Sequence, residues 1–195
     1  MRKALVLLLF AGCASAQNND LGLLLGISGP TSSVNSGNGA RVSGSVGAHG
    51  QINYAMQLRE TGAGRLYLEL PVLFGGQASG TVSSTVTSSA GGMIFFTPGV
   101  RLNLSPHSRV SFYAAAGVGP AAFDETKTVV SKGYVSASTG WTVSAAVDFG
   151  GGLDLRLTRL MSLRAEARDF VTGRGLGGAE GRNHPIFGFG IGFHW

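Results

Sequence analysis

The stretch Phe187–Trp195 reads FGFGIGFHW. Five large apolar residues, Phe187, Phe189, Ile191, Phe193 and Trp195, hold every second position, and three of the four residues between them are glycine. A period of two collects all five on one face of a strand, whereas on a helix it would scatter them around the circumference. The segment is therefore a strand with one greasy face and one nearly bare face, and a tryptophan finishing the greasy one. Such a face needs an apolar solvent or an apolar partner along its whole length.

Working back from this strand, the same alternation recurs seven more times. The pattern predicts strands at about 20–28, 42–57, 65–75, 93–104, 109–119, 141–157 and 161–171, followed by 187–195. In the first, Leu21, Leu23, Leu25 and Ile27 share a face. In the sixth, Val143, Val147, Phe149, Leu153 and Leu155 oppose Ser144, Asp148, Asp154 and Arg156. The connections alternate too. LRETGAG, SPHS and TRL are short, and the intervening ones run to a dozen residues or more, rich in Gly, Ser and Thr (GPTSSVNSGNGAR, GQASGTVSSTVTSSAGG, AAFDETKTVVSKGYVSASTG and GRGLGGAEGRNH). All long loops thus fall at one end of the sheet.

The beginning of the chain points to export. MRKALVLLLFAGCASAQ joins two positive charges, an apolar run and an Ala14-Ser15-Ala16 ending, the form of a signal peptide cut before Gln17. The expected organisation is a leader over 1–16 and a single barrel domain over 17–195. Cys13, the one cysteine, falls inside the leader, so the mature chain would carry no disulfide or thiolate. The rival reading makes Phe10-Ala11-Gly12-Cys13 a lipoprotein box, with Cys13 as a lipidated N-terminus. Losing Arg2 and Lys3 lowers the formal charge from +5 to +3. Lysines are confined to Lys127 and Lys132 in one loop, which speaks against nucleic acid as a partner. With 32 glycines and only 13% charged residues, the composition suits strands and turns. No stretch after residue 16 approaches the run of roughly 18 apolar residues that a membrane-spanning helix requires.

Eight antiparallel strands with one apolar face and long loops at one end fit an all-β, up-and-down transmembrane barrel. Lipid offers no hydrogen-bond partner, so a sheet enters it only by closing on itself, apolar outside and free to be polar inside. The chain resembles the small eight-stranded outer-membrane barrels, the OmpA, OmpX and OmpW-like group. The likeness spans the mature chain and rests on Phe187–Trp195, TPGVRLNL (97–104), GGLDLRL (151–157) and LRAEARDF (163–170). It implies a bacterial outer-membrane location in contact with lipid. It also implies that outer-membrane assembly machinery reads Phe187, Phe189, Ile191, Phe193 and Trp195.

On the inner face the alternation places Glu69, Asp148, Asp154 and Glu166 against Arg101, Arg156, Arg164 and Arg168, a ladder with four charges of each sign. An eight-stranded barrel is just wide enough to be filled by side chains, and buried charges must be paired. A three-residue turn at Thr158, Arg159 and Leu160 would set Asp154 opposite Arg164 and Gly152 opposite Glu166, a five-residue turn would oppose like charges, and a seven-residue turn would again match opposite charges but is long for the short-turn end. The ladder reads as a paired charge plug in a structural or surface-interaction protein. The alternative is a narrow porin-like channel, with water between arginines beside the inward glycines Gly117, Gly119, Gly150, Gly152, Gly188, Gly190 and Gly192. Those glycines could instead accommodate Tyr67, Phe95 and Tyr113.

Catalysis has less support. Some small outer-membrane barrels modify lipid A, but none of the four histidines (His49, His107, His184, His194) occurs as His-x-Ser. His49 reads as a hydrogen-bonded lumen residue beside Gln51 and Asn53, and His107 as a solvated turn residue. No catalytic, cofactor or metal residues are assigned, since no two histidines or cysteines have ligand spacing. Gly173, Gly175 and Gly178 spell a dinucleotide fingerprint by letter, yet a strand rather than a helix follows. The long loops offer the natural place for an extracellular ligand.

Overall fold

The computed structural model describes residues 19–29, 31–34, 41–44, 46–62, 64–76, 79–82, 86–131, 134–174 and 180–195. The leader over 1–16, Cys13 with its lipidation alternative, and Gly175 and Gly178 of the glycine-rich decoy lie outside the described residues.

Twelve strand segments build the sheet: β1 (Asn19–Ser28), β2 (Thr31–Val34), β3 (Arg41–Gly44), β4 (Gly47–Thr61), β5 (Gly64–Gly76), β6 (Ser79–Val82), β7 (Val86–Phe96), β8 (Gly99–Leu104), β9 (Val110–Ser131), β10 (Tyr134–Arg156), β11 (Met161–Arg174) and β12 (Glu180–His194). All pairings are antiparallel. β1 is flanked by β4 and β12, β9 pairs with β10, and β10 pairs with β11, which closes a ring of eight staves. β7 and β8 form one stave, broken at Thr97-Pro98 and running between β5 and β9. The closing seam is the strand that opened the sequence analysis. Its Leu21↔Phe193 and Ile27↔Phe187 partners zip it to β1, and Asn19 and Trp195 exchange backbone hydrogen bonds of 2.9 and 3.1 Å at the last rung.

The strands outrun the sequence expectation at one end. The segment expected as the loop AAFDETKTVVSKGYVSASTG (121–140) is instead part of the ladder from Ala121↔Ser144 to Ser131↔Tyr134. The other two Ser/Thr-rich stretches contribute β2, β3, β6 and the start of β7. Threonine, serine and valine at alternating positions suit a pleated, solvated hairpin as well as they suit a loop. At the opposite end the connections are tight. Gly64 adopts φ +150°, and a Cβ there would lie 2.2 Å from the Asn103 carbonyl oxygen. Thr158 Oγ1 accepts from the backbone N–H groups of Leu160 and Met161 at 3.2 and 3.0 Å, which fixes the three-residue turn.

Alternation sorts the two faces. Leu23, Ile52, Phe74, Phe112, Phe149 and Phe189 are exposed on the outside, while the residues between them turn inward and are buried. Every outward position of β10 from Trp141 to Leu155 is uncharged. Trp141 lies towards the long-hairpin end of this apolar belt and Trp195 on the last rung at the short-turn end, where amphipathic rings favour membrane interfaces.

The filled lumen as candidate functional site

Inward side chains stack in layers whose depth follows from the register. Nearest the short turns, Asp154 faces Arg164 and Gly152 faces Glu166, the pairing expected from a three-residue turn. Arg164 Nε and Nη2 donate to Asp154 at 2.7 and 2.9 Å, and its Nη1 and Nη2 donate to Asp20 at 2.9 and 2.8 Å. Arg101 lies 3.1 Å from the same Asp20 and 3.6 Å from Glu69. Its guanidinium also sits over the rings of Tyr67 and Tyr113, 4.9 and 5.3 Å from their centroids, where cation–π attraction adds to the ionic contacts. Deeper, Arg168 joins three carboxylates: Glu69 at 2.7 Å, Glu166 at 2.8 Å and Asp148 at 2.9 Å.

Asp20 was not among the charges expected here. It lies one rung in from the Asn19–Trp195 end of the seam, opposite His194, and has the inward parity of Leu24. Arg156 departs from the expectation in the other sense. It stands two residues beyond Asp154 on the inward face, but there it opposes Ser162 rather than a carboxylate, at the mouth of the barrel, and it is half-buried without an ion pair among the described residues. The buried set is therefore five carboxylates (Asp20, Glu69, Asp148, Asp154, Glu166) against three guanidiniums (Arg101, Arg164, Arg168), not the balanced four and four.

The hydroxyl and amide donors of Tyr113, Gln51 and Asn53 absorb part of the excess. Glu166 accepts from Tyr113 Oη at 2.6 Å, Gln51 Nε2 at 2.6 Å and Asn53 Nδ2 at 3.2 Å. His194 places Nδ1 2.9 Å from Asp20 and Nε2 3.0 Å from Ser162 Oγ. Asn103 and Ser111 hydrogen bond to each other beside them. His49 corrects the sequence reading. It is buried, but Gln51 and Asn53 turn to Glu166, so its ring nitrogens have no hydrogen-bond partner among the described residues.

The inward glycines are seats for these side chains. A Cβ on Gly152 would lie 2.5 Å from the Tyr113 hydroxyl, one on Gly22 would lie 2.7 Å from Arg164 Nη1, and one on Gly117 would lie 2.5 Å from Asp148 Oδ1. Of the three aromatics expected to use such space, Tyr113 does so. Phe95 occupies a layer that charge counting does not reveal. Leu73, Met93, Phe95, Phe123, Phe170 and Ile186 form a buried apolar stopper between the ion pairs and the long hairpins. Phe95 meets Phe123 edge-on at 5.6 Å and Phe170 at 4.9 Å, and His184 stacks on Phe123 at 5.6 Å. Arg101 and Arg164 in the ion-paired layer and Phe95 and Phe170 in the stopper are fully buried.

At the short-turn end His107 is exposed as expected, and its Nε2 lies 3.1 Å from Glu60 Oε1. Arg65 Nε donates to the other Glu60 oxygen at 3.0 Å, and that hydrogen bond holds the Glu60 carboxyl below its ordinary range.

The ring of eight antiparallel staves has counterparts among solved structures. Neisserial surface protein A superposes with a TM-score of 0.54 at 13% identity, over 91% of this chain and 96% of the other. The chain has the fold of the small outer-membrane β-barrels. The outer membrane protein OprG from Pseudomonas aeruginosa matches with a TM-score of 0.57 at 10% identity, over 92% and 96% of the two chains. The outer membrane protease OmpT from Escherichia coli matches with 0.56 at 8%, over 91% and 97%. No protein-family model matches the sequence, and no curated protein matches it. Since a protease shares this fold with a surface protein, the fold carries no particular chemistry, and any function must be argued from this chain's own residues.

Proposed function

We propose that the protein is a bacterial outer-membrane barrel, exported by residues 1–16, with a closed lumen and a structural or surface-interaction role rather than a catalytic one. The observation that carries this reading is the double seal, an ion-paired layer beneath an aromatic stopper. A pore would need a continuous wet path past Arg101, Arg164, Phe95 and Phe170, and each of these is fully buried. Paired charges of this kind hold a barrel in one register, because removing either partner strands a buried charge. The extended hairpins built on β2–β3, β6–β7 and β9–β10 supply the surface for an extracellular ligand. The outward Phe187, Phe189 and Ile191, with Phe193 and Trp195 below them, form the edge that assembly machinery would read.

The reading is tested in cells lacking the gene and in cells expressing a chain with the β9–β10 hairpin shortened by deletion of residues 124–141. It predicts unchanged lipid A mass and unchanged uptake of small solutes in both, with surface binding reduced equally by either change. A shift in lipid A mass would establish a lipid-modifying enzyme, and slower solute uptake a channel.

A further inference from the structure

Two clefts flank the turn of residues 105–109 at the short-turn end, and they differ in charge. The first, between this turn and that of residues 61–64, has a volume of about 460 Å3 and contains Glu60, already engaged by Arg65 and His107. The second, between the 105–109 turn and the 157–160 turn, has about 470 Å3 and is lined by Arg109, Arg156 and Arg159, the hydroxyls of Ser108 and Thr158, Leu157, and the His107 ring that it shares with the first cleft. No carboxylate lines it. Arg156 N donates to the Arg109 carbonyl at 2.8 Å, so two of the arginines are bound rung to rung, and Arg159 follows in the adjoining turn. None of the three guanidiniums has an ion pair or hydrogen bond among the described residues. Asp154, the acid nearest in sequence, is buried and committed to Arg164.

Like charges gathered on adjacent strands repel one another unless an anion joins them. The surroundings say what kind of anion. Arg109 and Arg156 keep the inward parity at the mouth of the barrel, while Leu157, Leu160 and Val110 are exposed on the outward side of the same rim and Trp195 closes the seam at that end, so the cleft straddles the rim where the apolar belt ends. Guanidiniums beside two hydroxyls suit the planar, multidentate recognition of a phosphate. We propose that this cleft binds the headgroup phosphate of an anionic phospholipid in the periplasmic leaflet, with its acyl chains lying along Leu157, Leu160 and Val110. The leaflet assignment rests on the outer-membrane orientation proposed above.

The test uses the refolded chain from Gln17 in zwitterionic micelles, with folding verified by heat-modifiable gel migration. Short-chain phosphatidylglycerol, short-chain phosphatidylcholine and inorganic phosphate are titrated separately, with binding read from arginine side-chain NMR shifts and from lipid adducts in native mass spectra. Saturable binding of phosphatidylglycerol that shifts Arg109, Arg156 and Arg159 is expected. Arg109→Gln and Arg159→Gln should each weaken it roughly fivefold, the loss expected for one cation near an anionic surface, and Arg59→Gln should leave it unchanged. Equal binding of the two lipids, binding of inorganic phosphate as strong as that of phosphatidylglycerol, or indifference to both cleft substitutions in a folded barrel would overturn the proposal. Failure to give the folded, heat-modifiable band would instead count against the membrane-barrel reading on which the leaflet assignment rests.

Discussion

Asp20 and Arg164 form a bidentate clasp, with Nη1 2.9 Å from Oδ1 and Nη2 2.8 Å from Oδ2, reaching from β1 across β12 to β11. The clasp spans the seam where the two ends of the sheet meet, and it couples barrel closure to the satisfaction of a buried charge. Asp20 also faces Arg101 and His194, so its loss leaves two guanidiniums short of a counter-charge. Asp20→Asn is expected to cost about 3–5 kcal/mol, the usual range for breaking a buried pair. The urea midpoint of the folded, heat-modifiable band measures this.

Gly22 stands beside that clasp. Its missing Cβ would lie 2.7 Å from Arg164 Nη1, with no backbone atom among its closest contacts, so the conflict is with one side chain. Arg164 cannot move aside cheaply, because both Asp20 and Asp154 hold it. Gly22→Ala should therefore destabilise by about 1–3 kcal/mol, as overpacking does. In an Arg164→Lys background, where Nη1 is gone, most of the added cost should disappear, and a double-mutant cycle in urea reads the difference.

Phe95 is the hub of the aromatic stopper, in contact with the rings of Phe123, Phe170 and His184. Phe95→Ala should cost about 3–5 kcal/mol through lost burial and the cavity left behind. Phe95→Leu, which keeps most of the volume, should cost less. Urea unfolding of the two variants in parallel tests the ordering.

Acid should uncouple the turn cluster around Glu60. Its carboxyl is held below the ordinary range by the hydrogen bond from Arg65. A depressed carboxylate contributes stability that is fully present above the ordinary glutamate range, near pH 4.3, and that is lost as pH falls through the lowered value. Glu60→Gln should thus be slightly less stable than the parent at neutral pH, with the gap closing in stronger acid. Thermal loss of the folded band across a pH series shows whether the curves converge.

Period-two patterning made the barrel legible, because an apolar outer face and a narrow, side-chain-filled interior impose opposite demands on alternate residues. The Asp154–Arg164 register was legible for a related reason: only some turn lengths keep like charges apart. Asp20 was harder to see, since it begins a strand and its partners lie on strands distant in sequence. Phe95 was legible as an inward aromatic, but its cluster with Phe123 and Phe170 escaped, because apolar residues at inward positions stand where polar ones are expected of a barrel lumen. Arg156 obeys the inward parity, yet parity does not tell where the ladder of partners ends. The long hairpins read as loops because Ser, Thr and Gly mark both turns and solvated strands.

The central claim is that the lumen is closed, and single-channel recording in a planar bilayer tests it most directly. The refolded chain, shown to be folded by its heat-modifiable migration, should give a silent membrane, and a parallel Phe95→Ala, Arg164→Ala double variant that also passes the folding check should give openings. Discrete openings from the parent protein that change size on Arg164→Lys would contradict the account and make the charged layer the lining of a pore.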